Sequence, residues 1–214
     1  MSESKAQKKT DKNSKQRVMS KEDRRSQLIK ATIKCIAKNG LSGTTMAHVT
    51  KEAGLSLGIV NLHFKSKEKL LIETLRHVTD EYNLGQKKIF DSNLNSSEKM
   101  KALVDFNFNA KITHKNKLAV WFSFFGESKA RPTYKQICNH SDVDTEGAMI
   151  KLFEQVINEE AYQDLDVELI ATGYTALADG LWLDLLLVTK DITREKAHKI
   201  TTNYLSSFFP RHFK

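Results

Sequence analysis

The chain has 214 residues, of which 40% are hydrophobic and 28% charged, with only two prolines and nine glycines. That length suits one or two compact domains, and the scarcity of turn-forming residues excludes all-β folds and favours long helices joined by short loops. The formal net charge of +8 favours a partner that carries negative charge.

The basic excess lies entirely in the first third of the chain. Residues 1–66 carry 14 basic and 5 acidic side chains, whereas residues 67–214 carry 20 and 21. Phosphate contacts require lysine and arginine, and a packing domain does not, so this segregation indicates a polyanion-binding end on a neutral body. A basic solubility tail would show the same charge and stays open at this point.

The sequence also bounds the compartment. Cys35 and Cys138 lie far apart, and the Lys-rich N-terminus has no apolar signal segment. These features predict reduced thiols in a cytoplasmic protein. The most apolar stretch, residues 181–188, is far shorter than the roughly 20 apolar residues that cross a bilayer, so no membrane partner is expected.

Predicted elements begin with residues 1–20, which contain almost nothing to bury and are expected to form a disordered basic arm. A helix follows from Lys21 to Asn39-Gly40, with apolar residues at helical spacing. Thr44 and Thr45 can cap a short second helix that ends at Gly54.

Two further predicted helices complete the first part of the chain. Ser56 can cap a third short helix, which ends before Phe64. Ser66 opens a long periodic segment that extends towards Phe90. Two short helices around a glycine turn, with a longer helix on each side, predict a helix-turn-helix domain over residues 21–66.

The body, residues 67–214, is expected to contain five helices beyond that long one. Their predicted ranges are 97–112, 117–125, 133–157, 168–188 and 193–208. Polar residues 139–144 interrupt the third range, which leaves open whether it is one helix or two. The fold class is therefore all-α with about nine helices.

Residues 45–71 have a physical reason to bind DNA. Gly54 allows the positive φ of the turn, and Ser56 caps a helix whose free N–H groups then point towards a phosphate or a groove. Gly58 permits close approach to DNA, and Lys67 places a cation near the backbone phosphates.

This segment closely resembles the signature of the tetracycline-repressor (TetR) family of bacterial transcription factors. The match runs from Thr-Met-Ala at 45–47 through Ala-Gly-Leu-Ser-x-Gly at 53–58 to Phe-x-Ser-Lys-Glu-x-Leu at 64–70. The candidate DNA-binding residues are Thr44, Thr45, Lys51, Ser56, Leu57, Gly58, Asn61, His63 and Lys67.

The chain departs from the family pattern at three positions. Asn61 stands where members usually have a phosphate-contacting Tyr, His63 replaces a frequent aromatic residue, and Thr50 replaces a usual Ala. These changes affect individual contacts rather than the presence of the domain.

The resemblance also implies what the body does. It implies a ligand pocket in the C-terminal helices and a homodimer formed by the last two helices of each subunit. The apolar character of 168–188 and 193–208 agrees with such an interface. A two-fold dimer predicts a palindromic double-stranded operator with half-sites about one helical turn apart.

Aromatic residues and a carboxylate in the body suggest a quaternary amine as the effector, because its charge is attracted to π-faces. The strings Trp-Phe-Ser-Phe-Phe at 121–125 and Asp-Gly-Leu-Trp-Leu at 179–183 resemble the choline-responsive repressors of glycine betaine synthesis within the family. The aromatic residues could equally be core. Candidate ligand-binding residues are Trp121, Phe122, Phe125, Tyr174, Asp179 and Trp182.

The leading hypothesis is a dimeric, ligand-responsive transcriptional regulator, most simply a repressor. No nucleophile–base constellation, phosphate loop or metal-ligand spacing is present in the sequence, so no enzyme activity, metal or cofactor is expected. The alternatives are an architectural DNA-binding protein without an effector and a regulator that senses an unrelated apolar ligand.

Overall fold

The computed structural model describes residues 20–129, 131–187 and 191–213, without the side chains of 139–144. The predicted all-α class is confirmed, since these ranges contain nine helices and no strand. The predicted arm over 1–20 lies outside them apart from Ser20. The helices are α1 (Lys21–Gly43), α2 (Met46–Ala53), α3 (Leu57–His63), α4 (Lys67–Phe90), α5 (Ser96–Phe108), α6 (Lys115–Ser128), α7 (Pro132–Glu160), α8 (Val167–Leu187) and α9 (Arg194–Phe208).

Side-chain caps fix where the first helices begin. Ser20 and Asp23 form a reciprocal capping box at the start of α1. Thr45, Ser56 and Ser66 each accept a hydrogen bond from the third backbone N–H of α2, α3 and α4. Because these caps satisfy N–H groups that would otherwise lack partners, the predicted starts of all three helices are confirmed.

Glycines fix two of the ends. Gly40 has φ 70° and interrupts α1 near its C-terminus, as the Asn39-Gly40 stop predicted. Gly54 has φ 64° and ends α2 in the left-handed conformation. A side chain at either position would be strained, so the tight turn between α2 and α3 depends on Gly54.

A buried cluster joins the first four helices. Leu28 of α1, Val49 of α2, Val60 of α3 and Leu75 of α4 are all almost completely buried. Arg25 adds a polar clamp, since it lies 2.6 Å from the Glu73 carboxylate and over the Phe64 ring. The two short helices are thus held rigidly on a base formed by α1 and α4.

The polar segment 139–144 does not divide α7 into two helices. Helix α7 is one continuous helix from Pro132 to Glu160, and Pro132 occupies its first turn. A proline is favourable there because its missing N–H has no helical partner anyway. The polar stretch therefore does not end the helix.

Helix α5 ends earlier than predicted, at Phe108 rather than near Ile112. The Asn109 carboxamide oxygen accepts hydrogen bonds from the backbone N–H of Lys111 at 2.8 Å and of Ile112 at 2.9 Å. This local turn competes with continued helix, which periodicity alone does not reveal.

Two helices, α4 and α6, connect the N-terminal part to the body. Helix α4 starts beside α3 and continues along α5, α6 and α7, while α6 packs against α1. Helices α8 and α9 lie against α5, α6 and α7. Among the described helices, none is both long and apolar enough to span a membrane.

Candidate nucleic-acid interface and ligand cavity

Helix α3 presents a distinct outer face. Leu57, Gly58, Asn61 and Leu62 are exposed, whereas Val60 on the opposite side is completely buried. A helix with one face fixed in the core and the other open can enter a major groove as a rigid body.

Cations and capping groups surround that face. Lys51 at the end of α2 is exposed, as are the capping residues Thr45 and Ser56. Lys67 is half-buried, and its Nζ donates to the Ser42 carbonyl oxygen at 3.3 Å. This bond places the ammonium group at the junction of α1 and α4, beside the helix-turn-helix.

Two of the predicted DNA-binding residues, Thr44 and His63, are not exposed. Thr44 is only 1% exposed, and its hydroxyl donates to the Gly40 carbonyl oxygen at 2.7 Å. Its side chain therefore supports the turn before α2, and we leave Thr44 out of the interface as a correction. His63 is half-buried, and its Nδ1 atom is buried without a hydrogen-bond partner.

The body contains a cavity of about 320 Å³ between α4, α5, α6, α7 and α8. Five of the six residues predicted to bind a ligand line it: Trp121, Phe125, Tyr174, Asp179 and Trp182. Phe122 is not among the lining residues. Its ring instead packs against Phe125, with the centroids 6.1 Å apart.

Three aromatic rings meet at one end of the cavity. The Tyr82 centroid lies 5.3 Å from that of Trp182 and 6.0 Å from that of Trp121. The two indoles are 6.4 Å apart and nearly perpendicular. This aromatic trio, Tyr82, Trp121 and Trp182, therefore combines residues from α4, α6 and α8.

Hydrogen bonds hold two members of the trio, Tyr82 and Trp182, in place. Gln86 Nε2 donates to Tyr82 Oη at 2.6 Å, Tyr82 Oη donates to Asn107 Oδ1 at 3.1 Å, and Asn107 Nδ2 donates to Tyr174 Oη at 2.7 Å. Trp182 Nε1 donates to the Asn107 carbonyl oxygen at 2.9 Å. Burial raises the pKa of the Tyr174 phenol well above its usual value, against the lowering effect of Asn107, so Tyr174 stays neutral.

Two buried polar atoms of the lining lack partners. They are the carboxamide oxygen of Gln86, an acceptor, and the indole nitrogen of Trp121, a donor. An unpaired buried polar group costs about 1–3 kcal/mol, so a hydrogen-bond partner for either atom would be stabilising.

Sequence reasoning missed Tyr82, Gln86 and Asn107. Tyr82 and Gln86 are four residues apart on α4 and share a face. Asn107 could have been found, because it is a polar residue among the buried positions Leu103, Val104 and Phe108. A buried polar side chain within an apolar stripe requires a partner and so indicates a site.

These features define a helix-turn-helix DNA-binding protein whose separate helical body encloses an aromatic cavity. Among the described residues, no cluster of three or more His, Cys, Asp and Glu side chains could hold a metal ion. The C-terminal domain model of BetI-type transcriptional repressors matches residues 96–210, and that of bacterial regulatory proteins of the tetR family matches residues 28–74.

Individual proteins are also similar to this chain over most of its length. The regulator BetI of Paraburkholderia xenovorans is 30% identical, with 86% of this chain and 93% of that protein covered. A transcriptional regulator from Pseudomonas aeruginosa PAO1 has a similar structure, with a TM-score of 0.77, 25% identity and coverage of 92% of this chain and 97% of that one. A regulator from Saccharomonospora viridis, solved in complex with choline, gives 0.77 at 19% identity, covering 86% and 96%.

The chain belongs to the tetR family of bacterial regulatory proteins, with a C-terminal domain of the BetI type. It is a DNA-binding transcriptional regulator and not an enzyme, as the sequence predicted.

Proposed function

We propose that the protein is a cytoplasmic, homodimeric repressor that leaves a palindromic operator when a choline-like quaternary amine enters the cavity. The observation that supports a quaternary amine as the effector is the aromatic trio in the cavity lining, together with the Asp179 carboxylate in the same lining. A quaternary ammonium group donates no hydrogen bond, so π-faces and a carboxylate are the groups that attract it.

Unsatisfied polar atoms in the lining also bear on the choice of ligand. Gln86 and Trp121 both line the cavity, and the first leaves an acceptor without a partner while the second leaves a donor without one. A hydroxyl group can both donate and accept, whereas a carboxylate can only accept, so an amino alcohol such as choline suits these two side chains better than a betaine does. The Saccharomonospora viridis regulator, crystallised with choline, supports the same ligand class.

The proposed dimer uses an exposed stripe on α8. Every third or fourth residue on one side of α8 is exposed, which is the spacing of a helix–helix seam. The residues of this α8 stripe are Leu169, Thr172, Ala176, Gly180, Leu183 and Leu187. Three exposed leucines with small residues between them allow two α8 helices to approach closely across a two-fold axis.

In the proposed DNA complex, α3 lies in the major groove and the cations lie over phosphates. Leu57, Gly58 and Asn61 face the bases, with Thr45, Lys51, Ser56 and Lys67 around them. Helix α6 supports a route for release, because it lines the cavity with Trp121 and packs on α1 of the DNA-binding part. A ligand that moves α6 would change the separation of the two α3 helices.

The test measures operator affinity by fluorescence anisotropy in the presence of choline, glycine betaine and 3,3-dimethylbutan-1-ol, the neutral isostere of choline. We expect choline to weaken operator binding at least tenfold and the isostere to fail, because the isostere lacks the cation–π attraction of about 2 kcal/mol. Trp121→Leu should abolish the response, whereas Phe122→Leu on the same helix should keep it.

Other results would assign a different function. Equal responses to choline and its isostere would favour the regulator of an unrelated apolar ligand. Equal affinity for operator and random DNA at fixed salt, with no ligand response, would favour the architectural alternative. Sedimentation of the operator complex should show two subunits on each duplex.

A further inference from the structure

We propose that α3 reads the 5-methyl groups of thymines, so that each half-site carries A·T pairs beneath this helix. The proposal rests on the proposed function only in placing α3 in the major groove. Its basis is that Leu57 and Leu62 are 51% and 77% exposed, although both are large apolar side chains on a seven-residue helix.

Helix geometry places both leucines on the outer face. At about 100° per residue, positions 57, 58, 61 and 62 project to one side and positions 59, 60 and 63 to the other. Burial agrees, since Val60 is fully buried and Ile59 and His63 are half-buried. Both leucine side chains therefore project into solvent, where an apolar partner could cover them.

The charge around the leucines selects DNA as that partner. Lys51 and Lys65 are exposed before and after α3 in the chain, and Lys67 follows at the start of α4. A second copy of the chain would have to place lysines against lysines, whereas a duplex places its methyl groups in a groove bordered by phosphates. At Gly58, an added Cβ would meet only Ser56 Oγ, at 3.9 Å, which leaves the same face open for close approach.

The chemistry of the outer face then selects the bases. Helix α3 contains no Lys or Arg, so the bidentate cation–guanine contact is absent from it. The thymine methyl is the apolar group on base edges in the major groove, and it matches leucine. Asn61, exposed between the leucines, carries the amide that pairs with adenine N6 and N7.

The experiment first selects half-sites from random duplexes with the full-length protein. Each selected thymine is then replaced by deoxyuridine, which removes one methyl and leaves the hydrogen-bonding pattern unchanged. We expect about fourfold weaker binding for each contacted methyl. Leu62→Ala should lose this sensitivity at one position and Leu57→Ala at another.

Leu94→Ala, at an exposed leucine between α4 and α5, is the matched control and should respond to deoxyuridine as the wild type does. Guanine at the selected positions, or equal deoxyuridine sensitivity in wild type and both leucine variants, would overturn the thymine proposal and leave the repressor intact. Failure to bind any duplex would overturn both.

Discussion

Gly85 shows how much depends on a single missing side chain. It lies on α4, which packs against α5, and a Cβ there would meet Phe106 Cζ of α5 at 2.2 Å. Phe106 in turn lies against Tyr82, with the ring centroids 5.6 Å apart. The glycine therefore leaves room for the Phe106 ring, which in turn packs against a residue that lines the cavity.

We expect Gly85→Ala to lower the free energy of unfolding by about 1–3 kcal/mol, because Phe106 must leave its packed position. Gly126→Ala is the control. A Cβ at Gly126 meets nothing within 4 Å, and alanine is about 1 kcal/mol more favourable than glycine in a helix. Thermal or urea unfolding should therefore shift in opposite directions, and a stabilised Gly85→Ala protein would contradict the close packing.

Residues with local roles could be predicted from the sequence, and residues with tertiary roles could not. Gly54 and the caps Thr45 and Ser56 act on their own turns, so their roles follow from the neighbouring residues. The contact between Gln86 and Tyr82 is also local, but its meaning depends on Asn107, 25 positions after Tyr82. That relationship exists only once α4 packs against α5.

At the scale of elements, the half-buried Glu81 carboxylate joins three segments through two ion pairs. Glu81 on α4 lies 2.8 Å from Lys111, which follows α5, and 2.5 Å from Lys117 on α6. Burial raises the pKa of the Glu81 carboxyl, but its hydrogen bonds to the two lysines outweigh this and lower the pKa below its usual 4.5.

The lowered pKa gives a pH-dependent prediction. A carboxyl whose pKa is lower in the folded than in the unfolded state stabilises the protein above about pH 4.5, and this is lost as pH falls through the folded value. Glu81→Gln should cost about 1 kcal/mol of unfolding free energy at pH 7. The difference in unfolding free energy between this variant and the wild type should shrink as the pH falls below about 4.5.

Glu154→Gln, at an exposed glutamate of α7, serves as the control in the same urea titrations. It should unfold like the wild type at every pH. A Glu81→Gln deficit that persists unchanged in acid would mean that packing, not charge, explains the loss.

Element ends show where sequence patterns lose information. The start of α8 and the whole of α9 lie within one residue of the predicted ranges, because their apolar periodicity and the Thr193 cap act together. The end of α5 was wrong by four residues because Asn109 bonds to its own loop. Competition between a side chain and the helix is decided by geometry that spacing does not contain.

At the scale of the whole molecule, Arg131 connects the body with the DNA-binding part. It lies 3.3 Å from Glu68 in the first turn of α4 and 3.3 Å from Glu127 of α6, and its guanidinium stacks over Tyr134. One side chain thus joins the ends of three helices between the cavity and the helix-turn-helix.

We expect Arg131→Met to leave ligand and operator affinities nearly unchanged when each is measured alone. The factor by which ligand weakens operator binding should fall by between about twofold and thirtyfold. Arg211→Met provides the comparison, because Arg211 also pairs with a glutamate and stacks on a tyrosine, but at the C-terminus. If both variants keep the full ligand effect, the signal passes elsewhere.

Thr172 and Ala176 belong both to the α8 stripe and to the lining of the cavity. In the proposed dimer, the partner subunit would therefore cover part of the cavity mouth. Subunit association and effector binding would then be thermodynamically coupled. If bound effector changes the association constant of the subunits by some factor, association changes the affinity for the effector by the same factor. Intracellular protein concentration would in that case set the sensitivity to the amine, and a cell could retune its response threshold by adjusting expression alone.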